Sequence, residues 1–168
     1  PKGVIAIVSP FNFPLAIGPF WCAAPALVEG NTVIIKPSED APWSTQAAAE
    51  IYHDAGIPAG VLQVVHGDGF VGGLLTREDV DHICFTGSAE VGQLIRQEAA
   101  KSWHKTTSCE MGSKSACIDF DDADIDMAVD AAIASAVFST HLTLQTITSV
   151  IISGLSVSEH NTNQSTHH

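Results

Sequence analysis

A chain of 168 residues with 45% hydrophobic and only 15% charged residues carries enough apolar matter for a packed core and is not disordered. A net charge of −12, with seven Lys and Arg thinly spread, excludes the basic patch that nucleic acid requires. No apolar run reaches membrane-spanning length and no signal peptide opens the chain; Cys22, Cys84, Cys109 and Cys117 sit in apolar or strand-like runs without CxxC spacing, which reads as buried free thiols in a cytoplasmic or other reducing compartment.

"GVIAIVSP" (3–10) is a short apolar run rich in β-branched residues and stopped by Pro, the pattern of a buried strand. "FPLAIGPFWCAAPALVEG" (13–30) has helical apolar content with Pro14 near its start and Gly30 past its end, but Pro19 and Pro25 argue against one unbroken helix. "NTVIIKP" is a second strand, "APWSTQAAAEIYHDAG" a helix with Gly56 as its C-terminal stop, and "GVLQVVHG" a third strand. A short helix in "GFVGGLLTRED" precedes a fourth strand, "DHICFTG", and a helix opened by Ser88 with Glu90 close behind. "KTTSCEMG" and "SACIDF" are strand-like. "DADIDMAVDAAIASAVFS" is a helix with acids in its first turn. Strand and helix alternate throughout, which argues a doubly wound α/β fold with a mostly parallel, Rossmann-like sheet and ligands at the carboxyl ends of its strands.

Five motifs then occur in order: "SPFNFPL" (9–15), "GNTVIIKPSE" (30–39), "GDGFVGG" (67–73), "FTGSAEVG" (85–92) and "CEMGSKS" (109–115). Together they closely resemble the NAD(P)-dependent aldehyde dehydrogenase superfamily, from Pro1 to about Thr140. The resemblance implies a partial cofactor-binding domain over 1–140. It implies oxidation of a small-molecule aldehyde to a carboxylic acid with NAD, NADP being possible, and intact relatives that are homo-oligomers. No nucleic-acid or membrane partner is expected.

Taken alone, Asn12 is a turn residue between two Phe. By resemblance its amide donates to the oxyanion formed when a thiolate adds to the aldehyde, a contact of a kind typically worth ~3 kcal/mol of barrier. Lys36 and Glu39 are otherwise solvated charges at a helix start. In the resemblance they hold the adenosine ribose hydroxyls, and Glu39, which repels a 2′-phosphate, tilts the preference to NAD. Gly67, Gly69 and Gly73 form a GxGxxxG that is either a flexible turn or a turn and helix near the adenine and pyrophosphate. Gly87 and Ser88 stand at a strand-to-helix junction, and Ser88 serves as helix cap, as phosphate contact, or as both. The same resemblance puts Val8, Ser9, Pro10, Phe11, Ser38, Phe85, Val91 and Met111 among the cofactor contacts. Glu110 is a loop charge or a cleft group. By resemblance it is the general base that activates water to hydrolyse a thioester, with an apolar wall to raise its pKa. Ser113 stands where the family usually has a second glycine. Lys114 reads as a structural ion-pairing residue, and the eight His show no metal-ligand spacing.

The family mechanism needs a Cys nucleophile one helix beyond the Glu. Counting forward from Glu110 reaches Leu144, and no Cys follows Cys117. Cys109 adjoins Glu110, but neighbours on a strand point to opposite faces. Beyond Thr140 there is no Lys, Arg or Cys and one carboxylate, Glu159. The 141–168 stretch is expected to be an unmatched, poorly ordered tail from a frameshift, aberrant splice or truncated frame, although "TITSVIIS" suits a strand added to a sheet edge. Pro1 in first position likewise leads us to expect a fragment. Three readings stay open: the cofactor-binding part of a dehydrogenase, a nucleotide-binding remnant without activity, and a damaged fragment without function.

Overall fold

The computed structural model describes residues 1–112, 116–120, 122–142 and 149–152. The chain divides into two compact units, Pro1–Met111 and Gly112–His168. The first holds a five-stranded parallel sheet built from β1 (Val4–Val8), β2 (Thr32–Lys36), β3 (Leu62–Val64), β4 (His82–Gly87) and β5 (Thr106–Met111), in the order β3-β2-β1-β4-β5. The central strand β1 reads VIAIV without polar alternation because helices cover both of its faces.

Strand periodicity divides the core in two. Ile5 and Ile7 of β1, Val33 and Ile35 of β2 and Leu62 of β3 share one face with Ala23 and Ala49. Ala6, Ile83 and Phe85 point the other way and meet Leu75, Val80, Ile95 and Ala99. The first face is covered by α1 (Ala24–Val28), the π-helical stretch Ala16–Ala23 before it, and α2 (Pro42–Asp54); the second by α3 (Gly69–Arg77) and α4 (Ala89–Ala99).

The two prolines shape the first helical segment as the sequence suggests. Pro19 lies inside the π-helical stretch, where its carbonyl accepts the Ala24 N–H five residues on and the Tyr52 hydroxyl at 2.9 Å. Pro25 sits in the first turn of α1, where a missing N–H costs nothing. Asn31 then ties the start of the chain to this turn: its Oδ1 accepts the backbone N–H groups of Lys2 and Gly3, and its Nδ2 donates to the Ala26 carbonyl at 2.8 Å. At the amino ends of the strands a polar chain crosses from β1 to β5. Lys2 Nζ donates to Thr106 Oγ1 at 2.9 Å, Thr106 Oγ1 meets His82 Nδ1 at 2.6 Å, and His82 Nε2 meets Ser108 Oγ at 3.1 Å.

The second unit contains β6 (Ala116–Asp119), α5 (Ile125–Leu142) and β7 (Ser149–Ile152), with β6 and β7 paired in parallel. Asp124 caps α5 by accepting the Met127 N–H at 3.1 Å. Within the stretch expected to be a poorly ordered tail, Ser149–Ile152 therefore forms a strand. Leu144, Ser113, Lys114 and the rest of that stretch beyond β7 lie outside the described residues. Among the described residues no helix is long and apolar enough to cross a membrane.

Candidate cofactor site

In an open parallel sheet the ligand crevice lies where neighbouring strands send their chains to opposite sides. Here that point falls between β1, whose other neighbour is β2, and β4. Val8 closes β1, Lys36 closes β2 and Gly87 closes β4, so three of the expected contacts stand at carboxyl ends by register alone.

A cleft of about 410 Å³ opens between α3 and α4, a volume in the range of small-molecule sites. Val8, Lys36, Gly69, Gly73 and Val91 are among the residues that line it. Lys36 is only 3% exposed, although it is a lysine. Its ammonium donates to the Pro37 carbonyl at 2.8 Å and lies 3.6 Å from the largely exposed Glu39 carboxylate. The Lys36 stem runs along Gly72, where an added Cβ would stand 3.4 Å from Lys36 Cδ. Gly69 and Gly73 have nothing within 4 Å of an added Cβ, which leaves a bare helix surface facing the opening.

The starts of the two helices differ. Asp68 caps α3 with its own carboxylate, accepting the N–H groups of Phe70 at 2.9 Å and Val71 at 3.4 Å. The Phe70 and Val71 N–H groups at the positive end of that helix are thereby already bonded within the chain. At α4 the cap is Ser88, whose hydroxyl accepts the Val91 N–H at 3.3 Å, with no carboxylate as cap. This junction, at the carboxyl end of β4, is the better place for an anion.

The remaining expected residues are distributed around this frame. Phe85 is buried, its ring beneath Gly87 and Gly92, and Met111 presses on Gly92 from β5. Ser9 is buried under Gly18 with an unpartnered hydroxyl, and the Asn12 Oδ1 in the same loop is also buried and unpartnered. Orphaned buried oxygens of this kind mark places that a ligand or water completes. Pro10 is half-buried, Phe11 exposed, and Ser38 accepts the Asp40 N–H at 3.3 Å. Glu110 is exposed on the edge strand β5, opposite Thr86, so the expected apolar wall is not built around it by the described residues.

The three described thiols are free and half-buried rather than fully buried. Cys109 packs with the second core, on the sheet face opposite Glu110. Cys22 and Cys84 pack on the first core. Hydrogen bonding with Cys84 holds the Cys22 thiol below its ordinary range, against burial and the Glu110 charge, while Cys22 and burial push Cys84 up.

The sequence motifs miss most of the far wall of the cleft: Thr76, Arg77, Leu94, Ile95, Gln97, Glu98 and Lys101, whereas Gly72 falls inside "GDGFVGG". At its end Lys101 pairs with Glu98 at 2.6 Å, and Arg77 and Lys105 add to the field that holds the Glu98 carboxyl below its usual range after the Lys101 hydrogen bond.

A model of the aldehyde dehydrogenase family matches residues 1–144. Among solved structures, a putative aldehyde dehydrogenase from Burkholderia cenocepacia is similar with a TM-score of 0.83 and 38% identity, over 90% of this chain and 32% of that one. PnpE in complex with nicotinamide adenine dinucleotide is similar with a TM-score of 0.83 and 37% identity, over 95% and 33%. Betaine aldehyde dehydrogenase from Staphylococcus aureus in complex with NAD+ is similar with a TM-score of 0.81 and 33% identity, over 92% and 30%. The chain thus spans about a third of the length of the solved relatives it matches. With its parallel sheet, its carboxyl-end cleft and a family match over most of its length, the chain belongs to the aldehyde dehydrogenase family.

Proposed function

We propose that this chain is the cofactor-binding part of an NAD(P)-dependent aldehyde dehydrogenase that oxidises an aldehyde to a carboxylic acid, and that as it stands it binds the dinucleotide without turning aldehyde over. The observation that carries the reading is the cleft between α3 and α4, with buried Lys36 beside Glu39 at one end and the bare surfaces of Gly69 and Gly73 along its side. NAD, when bound, supplies the hydride acceptor. Lys36 and Glu39 hold the ribose hydroxyls; a carboxylate accepts two such protons and repels a 2′-phosphate, which favours NAD over NADP. Gly69 and Gly73 let a flat base approach the helix, between Val8 and Val91. The Ser88 cap at the start of α4 faces the phosphates. In an enzyme with its thiolate in place, Asn12 would be the amide donor to an oxyanion and Glu110 would take the proton of the water that opens the thioester. The NAD complexes of similar proteins support this cofactor.

The lack of turnover rests on the nucleophile. Cys109 faces away from Glu110, Cys22 and Cys84 pack on the first core, and position 144 is Leu. Residues that act as a unit fail together, so Asn12 and Glu110 do not replace a covalent step. Calorimetric titration of the purified chain with NAD, followed by a spectrophotometric assay for NADH with short and aromatic aldehydes, tests both parts. Saturable NAD binding without aldehyde-dependent NADH is expected. Absence of binding would remove the cofactor reading. NADH formation that alkylation of Cys109 abolishes would overturn the claim of inactivity.

A further inference from the structure

Between Lys2 and Lys36 the chain carries a single charge, Glu29, although its net charge is −12. Large apolar side chains of that stretch nevertheless meet water. Phe11 is 51% exposed, Leu15 49%, and Phe20 and Trp21 of the π-helical stretch 48% and 66%. They are held in place from below. The Trp21 ring lies 6.2 Å from the Phe13 ring at a tilt of 32°, and the Phe20 ring 6.0 Å from that of Tyr52. Thr45 and Tyr52 of α2 fix the backbone by donating to the Pro14 carbonyl at 3.3 Å and the Pro19 carbonyl at 2.9 Å. At ~150–250 Å² for a whole aromatic side chain, the four exposed residues present roughly 450 Å² of apolar surface. Single exposed apolar residues need no explanation, whereas a patch of this size marks an interaction face.

We propose that two copies of the chain pair through this face, closing about a twofold axis with Phe20 and Trp21 of each copy at the centre. Charge decides the occupant. Each copy bears −12, so two copies repel wherever carboxylates face one another, and the stretch from Phe11 to Val28 holds no charged residue at all. A basic partner is drawn to the acidic remainder of the surface and gains nothing from a neutral face. A lipid surface holds an aromatic face through flanking Lys and Arg, and none stands between Lys2 and Lys36. Twofold pairing is self-complementary, so the same side chains serve on both sides and no second patch is required. Two such faces bury roughly 900 Å² together, the low end of specific interfaces, which sets a weak dimer rather than a permanent one. Aromatic side chains carry most of the energy of such contacts, and rings already braced by their neighbours lose little freedom on pairing.

The test is sedimentation equilibrium of the full chain from low micromolar to near-millimolar concentration. The weight-average mass is expected to climb from that of one chain and to level off at that of two. Added salt is expected to move the climb to lower concentration, because it screens the repulsion between acidic copies and spares the apolar contact. Trp21→Glu is expected to raise the dissociation constant by roughly 30-fold or more, the effect of losing a central aromatic residue. Phe120→Glu, at a comparably exposed aromatic residue of the second unit, leaves it unchanged. With Trp43 and Trp103 replaced by Phe, Trp21 is the sole indole, and its emission is expected to shift to the blue along the same concentration curve. That measurement decides should Trp21→Glu fail to fold. A mass that stays at one chain, a mass that climbs without levelling off, pairing that salt weakens, pairing that Trp21→Glu spares or Phe120→Glu abolishes, or Trp21 emission that does not follow the mass would each overturn the proposal.

Discussion

Gly73 separates stability from cofactor binding more cleanly than any other position in the cleft. It stands inside α3 in helical conformation, and an added Cβ has nothing within 4 Å. Replacing an unconstrained mid-helix glycine by alanine gains ~1 kcal/mol from the backbone alone. With no neighbour to displace, Gly73→Ala is expected to raise the unfolding midpoint of the free chain by about 2–4 °C, the size such a gain has in a chain of this length. The same methyl faces the cleft. A group inserted where a ligand packs costs about 1–3 kcal/mol, or roughly 5- to 150-fold in affinity, and Gly73→Leu lies at the upper end. Thermal unfolding with and without saturating NAD, joined to calorimetric dissociation constants, reads both quantities. If Gly73→Ala lowers the midpoint of the free chain, the open space is misread. If Gly73→Leu binds NAD unchanged, the dinucleotide does not rest between α3 and α4.

Burial, with the Lys2 ammonium beside it, holds the His82 imidazole below its usual range, and Asp81 next to it is turned to the Val4 N–H. The unfolded chain therefore takes up a proton that the folded one resists: the contribution of His82 to stability is complete above about pH 6.5 and is lost as pH falls below it. Urea midpoints at pH 7.5 and 5.5 are expected to fall with acid, and by less in His82→Gln; an equal fall in both would refute this. Glu39→Gln is expected to narrow the gap between NAD and NADP affinities, and equal titrations before the change would remove the claim. Ile7 is 1% exposed at the centre of the sheet, so Ile7→Ala is expected to cost about 2–5 kcal/mol, a large share of a typical domain's stability, seen as a lower urea midpoint at unchanged slope.

The order of strands and helices is legible in the sequence because most parallel strands are short β-branched runs closed by Pro or Gly, and α3, α4 and α5 carry Asp68, Ser88 and Asp124 as caps while Pro42 opens α2. Val8, Lys36, Gly69, Gly73 and Val91, which the family resemblance names, are among the residues that line the cleft. Less legible is what depends on two segments meeting. The far wall of the cleft comes from α3 and α4 together, and no linear motif contains it; its trace is helical spacing, Gly69, Gly72, Gly73, Thr76 on one helix and Val91, Leu94, Ile95, Glu98 on the other. The π-helical stretch shows in the sequence only as Pro19, which says that a regular helix is interrupted but not which wider turn replaces it. "GVLQVVHG" promises a longer strand than Leu62–Val64 because Gly67, at φ 153°, bends the chain away towards Asp68.

Asp68 would govern how a dinucleotide bound as proposed leaves. A helix that relies on a guest's phosphate for its first N–H groups loses those bonds when the guest departs, and the exit is slowed accordingly. Here α3 keeps its terminal bonds through Asp68 whether the cleft is full or empty. A dinucleotide bound there as proposed would leave the Phe70 and Val71 N–H groups still bonded to Asp68 when it departs. Such a wall suits a carrier that must be exchanged after each use rather than retained as a permanent prosthetic group.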